Sequence, residues 1–132
     1  MFSVRWLEES DYPELCKWWK AFRFPAPQQM MLPDYGRCGF IVSKGDVNVC
    51  AGFLYYTNSA FALFEYVVSN FEYKDKDRKE AIKLLYETAE TQAAREGCKL
   101  LFSTVKNENL IKSMQEFGWT AGSKTTEMIK VI

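Results

Sequence analysis

The helical run Ile82, Leu85, Tyr86, Ala89 and Ala93, closed by Gly97, lies between two β-prone stretches, residues 60–69 and 99–105. No other feature of the sequence constrains the fold as much. A strand, a crossover helix and a second strand place the two strands parallel and near one another, with the helix packed on the sheet. The chain is therefore expected to be an α/β (α+β) protein built on a sheet with at least one parallel pair.

The remaining segments extend that sheet. Residues 2–7 mix β-branched and aromatic side chains and stop at Glu8-Glu9-Ser10, which reads as a first strand. A helix follows: Asp11 is placed to cap it, Glu14 stands three residues on as a capping box requires, and Pro13 falls in the first turn. Leu15, Trp18, Trp19 and Phe22 then form one apolar stripe. Residues 23–37 carry Pro25, Pro27 and Pro33 with Gln28, Gln29, Met30 and Met31, an irregular connection of the kind that often covers a site. Residues 40–42, the turn Ser43-Lys44-Gly45-Asp46 and residues 47–56 read as a hairpin, and Thr57-Asn58-Ser59 leads into residues 60–69, so the centre is a three-strand meander. Asn107 opens a last helix with Leu110, Met114 and Phe117 on one face and Gly118 at its end. Residues 125–132 alternate as a closing strand would. With no linker, repeat or low-complexity tract, residues 1–132 are expected to form one domain.

Composition narrows the chemistry. At 48% hydrophobic residues the chain has the apolar mass for a real core. The 17 Lys and Arg balance the 17 Asp and Glu, so no overall field draws it to nucleic acid or to an anionic membrane, and neither is an expected partner. The chain contains no histidine, which excludes His-metal sites and His-activated nucleophiles; proton transfer is left to carboxylates, Tyr, Lys, Cys or water. No metal is expected. Cys16, Cys38, Cys50 and Cys98 form no C-x-x-C pair and read as reduced packing thiols of a cytoplasmic protein. The first residues lack a secretory pattern, and no stretch approaches the roughly 18 apolar residues of a membrane span.

The order of elements resembles the GNAT (acyl-CoA N-acyltransferase) superfamily from end to end. VRWLEESDYPEL looks like its opening strand and helix, VCAGFLYY like its third strand, and EYVVSN with the following charged loop and KLL like its acetyl-CoA motif. VKNENLIKSMQEFGW is similar to the family's N-x-x-A-x-x-L-Y-x-x-x-G-F segment, with Asn107 and Gly118 at the matching separation and Trp119 for the Phe. Small GNAT-like proteins of tailed bacteriophages are a further resemblance, implying a host bacterial cytoplasm. The family resemblance implies a mixed sheet of six or seven strands flanked by three or four helices. It also implies acetyl-CoA as co-substrate and an amine acceptor whose identity the sequence does not give.

The same resemblance places the site. The strands over 60–69 and 99–105 would splay apart, with pantetheine pairing to backbone around Val67 and Val68. The family's amide loop, Q/R-x-x-G-x-G/A, falls on Lys76, Asp77, Arg78, Lys79, Glu80 and Ala81, where pyrophosphate would meet a helix N-terminus. Lys76 stands for the family's Arg or Gln and Ala81 fits, but Lys79 replaces the first Gly. Asp75, Asp77 and Glu80 would repel pyrophosphate, whereas Lys74, Lys76, Arg78 and Lys79 would attract it. The alternative is a solvated turn whose acids favour the helix start. Asn107 is both a helix cap and a candidate ligand.

Glu65, sharing a strand face with Leu63 and Val67, is the candidate base; the alternative is an ordinary rim carboxylate. The family's usual acid, a Tyr of the last helix, corresponds to Met114, which cannot donate a proton and reads as core. Tyr66, Tyr73 or Tyr86 would have to supply the proton, or the thiolate leaves unassisted. Two function classes therefore stay open: an N-acetyltransferase, and a GNAT-fold module without catalysis that binds protein partners. A homodimer formed through residues 125–132 is a further expectation.

Overall fold

The computed structural model describes every residue, Met1–Ile132. Five strands form one mixed sheet in the order β1-β2-β3-β4-β5. β1 is Phe2–Trp6, β2 Gly39–Lys44, β3 Val47–Tyr56, β4 Phe61–Ser69 and β5 Leu100–Phe102. Three helices accompany the sheet, α1 (Tyr12–Ala21), α2 (Arg78–Arg95) and α3 (Glu108–Glu116). The first four strands are antiparallel neighbours, and β4 and β5 are parallel, as the α2 crossover requires.

Each face of the sheet carries its own apolar layer. On one, Val42, Val49, Leu54 and Phe64 meet Ala81, Leu85, Tyr86, Ala89 and Ala93 of α2 and Met114 of α3. On the other, Ile41, Ala51, Phe53 and Val68 meet Leu15, Trp18 and Trp19 of α1. Burial of each large apolar side chain contributes about 1.5–3 kcal/mol, so these two layers are what fix the helices to the sheet. The 23–37 connection closes the second layer: Leu32 is buried, Tyr12 Oη donates to Pro27 O at 2.6 Å, and Tyr55 Oη donates to Met31 O at 2.9 Å. No helix is long and apolar enough to cross a membrane.

Four expectations need correction. The sheet has five strands rather than six or seven. Residues 125–132 lie in no ladder, and Met128, Ile129, Val131 and Ile132 are exposed; alternation makes a strand only where a partner strand meets it, and none in this chain does. The capping box lies one turn before α1, formed reciprocally by Glu8 and Asp11 in a short 3-10 turn, Glu9–Asp11. Asp11 is recruited there because its carboxylate also accepts Arg5 Nη1 at 2.8 Å and Nη2 at 2.9 Å, a bidentate pair that outweighs a single helix amide. Burial pushes the Asp11 carboxyl up, but the Arg5 bonds and the Glu8 N–H hold it below the usual carboxylate range. Glu14 instead accepts Asn48 Nδ2 at 2.7 Å and ties α1 to β3. Phe22, expected on the apolar stripe, is exposed at the C-cap of α1.

Candidate functional site

β3 and β4 pair regularly up to Gly52. Ala51 faces Val68 and Phe53 faces Glu65, so Gly52 alone opposes both Tyr66 and Val67. This is a bulge in β4, which bends the strand and turns its side chains out of simple alternation. Tyr66 takes φ 56°, the left-handed region, at a cost on the order of 1–3 kcal/mol. Its ring is held by Trp19 and Phe24, each 6.3 Å away between centroids, and by Tyr55 at 6.4 Å.

Across the bulge there is no room for a side chain on Gly52. A Cβ there would lie 2.5 Å from Phe64 Cζ and 3.0 Å from Val67 Cγ2. Gly52→Ala is therefore expected to destabilise the fold by about 2 kcal/mol through overpacking, read as a lower urea midpoint. An unchanged midpoint would mean that the Phe64 ring yields freely.

The β4–β5 ladder ends where the bulge begins to bend β4. Phe61, Ala62 and Leu63 pair with Leu100, Leu101 and Phe102, and there the ladder stops. Beyond Leu63 and Phe102, side chains bridge the parting strands. Ser103 Oγ donates to Phe64 O at 2.7 Å, and Thr104 donates to the Glu65 carboxylate twice, from N–H at 2.8 Å and from Oγ–H at 2.7 Å. Glu65 is half-buried, and burial raises its pKa above the usual carboxylate value; the Thr104 bonds oppose that rise, and the charge of Glu127 from the C-terminal segment adds to it. A carboxylate so placed can accept a proton from an incoming group.

The entrance of α2 is more organised than its charge pattern implies. Asp77, one of the three acids expected to repel an anion there, accepts Lys44 Nζ and Tyr73 Oη, both at 2.6 Å. The Lys44 ammonium and the Tyr73 hydroxyl hold its carboxyl below the usual range. Lys79 pairs with Glu116 at the end of α3, joining the two helices, while Lys76 and Arg78 are exposed and carry no ion pair. The Arg78 N–H donates to Asp75 O at 3.2 Å, and those of Glu80 and Ala81 donate to Asp77 O at 3.0 and 3.3 Å; the Lys79 N–H has no acceptor.

The sequence-derived residues thus divide into groups. Glu65, Tyr66, Val67 and Val68 follow one another through the bulge. Lys76, Arg78, Lys79 and Glu80 stand exposed at the start of α2, whereas the Ala81 side chain is fully buried in the core. Asn107 caps α3, its Oδ1 accepting the Leu110 N–H at 2.9 Å. Met114 is buried among the α2 residues. Sequence reasoning missed Lys44, Ser103, Thr104 and Glu116. Only Ser103-Thr104 left a signal, two hydroxyls directly after the β5 run.

An antiparallel meander whose bulged fourth strand pairs with a parallel fifth for three residues only, joined to it by a crossover helix packed on one face of the sheet, is the GNAT fold. Among solved structures the chain superposes on the ribosomal-protein-S18-alanine N-acetyltransferase from Escherichia coli with a TM-score of 0.75 at 15% identity, over 93% of this chain and 80% of that one. Aminoglycoside N-acetyltransferase AAC(6')-Iy in complex with CoA gives 0.71 at 16% identity, over 98% and 95% of the two chains. A transcriptional regulator from Bacillus halodurans C-125 gives 0.72 at 15%, over 98% and 100%. At such identities the likeness is one of fold, and a fold hosts many functions. No family model and no curated protein matches the sequence.

Proposed function

We propose that the protein is an N-acyltransferase that moves an acetyl group from acetyl-CoA to an amine by direct attack. The observation that carries this reading is the Glu65 carboxylate, raised by burial and standing at the bulge where β4 and β5 part. An alkyl ammonium, with a pKa near 10.4, must lose a proton before it can attack a thioester. Glu65, or a water it orients, takes that proton, and the two Thr104 bonds fix the direction of its carboxylate. The pantetheine arm would pair with backbone around Val67 and Val68, beyond the last β4–β5 pair. Lys76, Arg78 and the unpaired Lys79 N–H would receive pyrophosphate, and Lys44 removes the repulsion of Asp77. Glu116 takes up the Lys79 ammonium in turn, so the net charge at the start of α2 stays as its sequence reads, with Lys76 and Arg78 the free cations. The cytoplasmic acetyl-CoA pool would supply the donor, and a second copy pairing residues 125–132 with the open edge of β5 would form a dimer.

Titration with acetyl-CoA, followed by calorimetry, tests the reading. Micromolar binding is expected, and absence of heat at millimolar ligand would overturn it. A second reading, a GNAT-fold module without catalysis, is favoured by Thr104 bridging to Glu65 beyond the β4–β5 ladder, by Glu116 occupying the Lys79 ammonium at the start of α2, and by Met114 in place of a proton donor. It predicts that null titration.

A further inference from the structure

The surface beside Glu65 is aromatic and almost free of charge. Phe53 and Tyr55 of β3 stand opposite Glu65 and Leu63 of β4, so Glu65 shares the α1 face of the sheet with Tyr55. The bulge brings the Tyr66 ring onto that face as well, against Trp19, with Phe24 at 6.3 Å and Tyr55 at 6.4 Å between centroids. The 23–37 connection extends this wall, since Tyr55 Oη donates to Met31 O.

Two observations mark the wall as a binding surface. Tyr66 presents its ring there at φ 56°, and backbone strain of this kind collects at ligand sites. Phe24, 48% exposed, and Met31, 61% exposed, leave large apolar side chains open to water beside it. The distribution of charge then selects the ligand. Among β3, β4 and residues 22–33, Glu65 is the only carboxylate and Arg23 the only cation. Glu127, the other carboxylate acting on Glu65, is exposed on the C-terminal segment. A ligand that brings an ammonium to Glu65 therefore meets one negative group there and rings along the rest of its body. A second ammonium would lose hydration against Phe24 and Met31 with no carboxylate in exchange, and Arg23 would repel it.

We infer that the acceptor is a small primary amine with one positive charge and an aromatic body, its nitrogen at Glu65 and its ring against Phe24, Tyr55 and Tyr66; the inference rests on the acyltransferase reading and names its substrate class. The ammonium gives its proton to Glu65, and the amine nitrogen bonds to the acyl carbon. The C–S bond breaks with its electron pair going to sulfur, which takes up the proton that the nitrogen then sheds, so the products are an amide and a free thiol.

The test measures amine-dependent thiol release from acetyl-CoA with 2-phenylethylamine, ethylamine and spermidine. Wild type is expected to use 2-phenylethylamine about 30-fold better in kcat/KM than ethylamine, the worth of burying one ring, and to prefer it to spermidine. Phe24→Ala is expected to cut the preference over ethylamine about tenfold, seen as a rise in KM rather than a fall in kcat, and Phe24→Tyr to keep it. Equal use of 2-phenylethylamine and ethylamine, a preference for spermidine, or a preference that Phe24→Ala leaves intact would overturn the inference and leave the acyltransferase reading standing. Thiol release with none of the three would overturn the inference too, and the acetyl-CoA titration then separates the cases: binding leaves the acyltransferase reading standing, and no binding removes both.

Discussion

Glu65→Gln is expected to lower kcat/KM for amine acetylation about 100-fold, the usual worth of a general base, while costing the fold less than about 1 kcal/mol. The substitution is nearly isosteric, and both clamp bonds have a replacement. The Gln carbonyl still accepts from the Thr104 N–H, and its amide can donate to Thr104 Oγ, which reverses the direction of the present bond. The opening thus keeps its shape while the proton acceptor is lost. A pH profile sharpens the test. Only the ionised carboxylate is a base, and burial has raised the Glu65 pKa, so wild-type kcat/KM should climb with pH through a step above the ordinary carboxylate range. The variant should lack that step. A variant that keeps wild-type kcat/KM and the same acid limb would remove Glu65 from the reaction and reduce it to a clamp.

Trp19→Ala is expected to have the largest effect on stability, about 3–5 kcal/mol, from loss of a buried aromatic and the cavity it leaves. Trp19 is 2% exposed, stacks on Phe53 at 6.3 Å and presents an edge to Tyr66. Against a total stability of about 5–15 kcal/mol this is a large fraction, and the melting temperature should fall by roughly 10–20 °C. The loss also reaches the bulge: without the indole, Tyr66 loses one of the rings that hold it at positive φ. Circular dichroism melting measures the first effect. A fall of less than about 5 °C would mean that the α1 layer repacks without the ring.

The backbone plan is legible in the sequence because its signals are local. The α2 stripe from Ile82 to Ala93, Gly97 after it, and Asn107 opening α3 are written within a few residues of where they act, and the structure uses Asn107 as a cap. The beginning of α1 escapes the pattern because Asp11 has a stronger partner, Arg5, on a strand outside the helix. Residues 125–132 mislead because alternation describes a strand's faces and says nothing of a neighbour. At the site, Glu65 stands out as a carboxylate in an apolar strand, but the bulge turns Val67 to the opposite face, toward α2, so the two do not share a face as alternation implies. Its donor Thr104 lies 39 residues on, and Lys44 meets Asp77 across 33; contacts of that span follow from topology, which periodicity does not encode. The positive φ of Tyr66 has no mark on Tyr66 itself. The mark is on its neighbour, Gly52, the position where β3 admits no side chain.

The bridges between β4 and β5 also matter for the protein when nothing is bound. Two strands that part expose main-chain donors and acceptors, and such surfaces recruit any extended polypeptide nearby and seed aggregates. Ser103 and Thr104 occupy Phe64 O and Glu65 with hydroxyls and one amide, so the gap is guarded by the molecule's own groups rather than left adhesive. A chain segment offering only generic β-pairing meets groups already engaged.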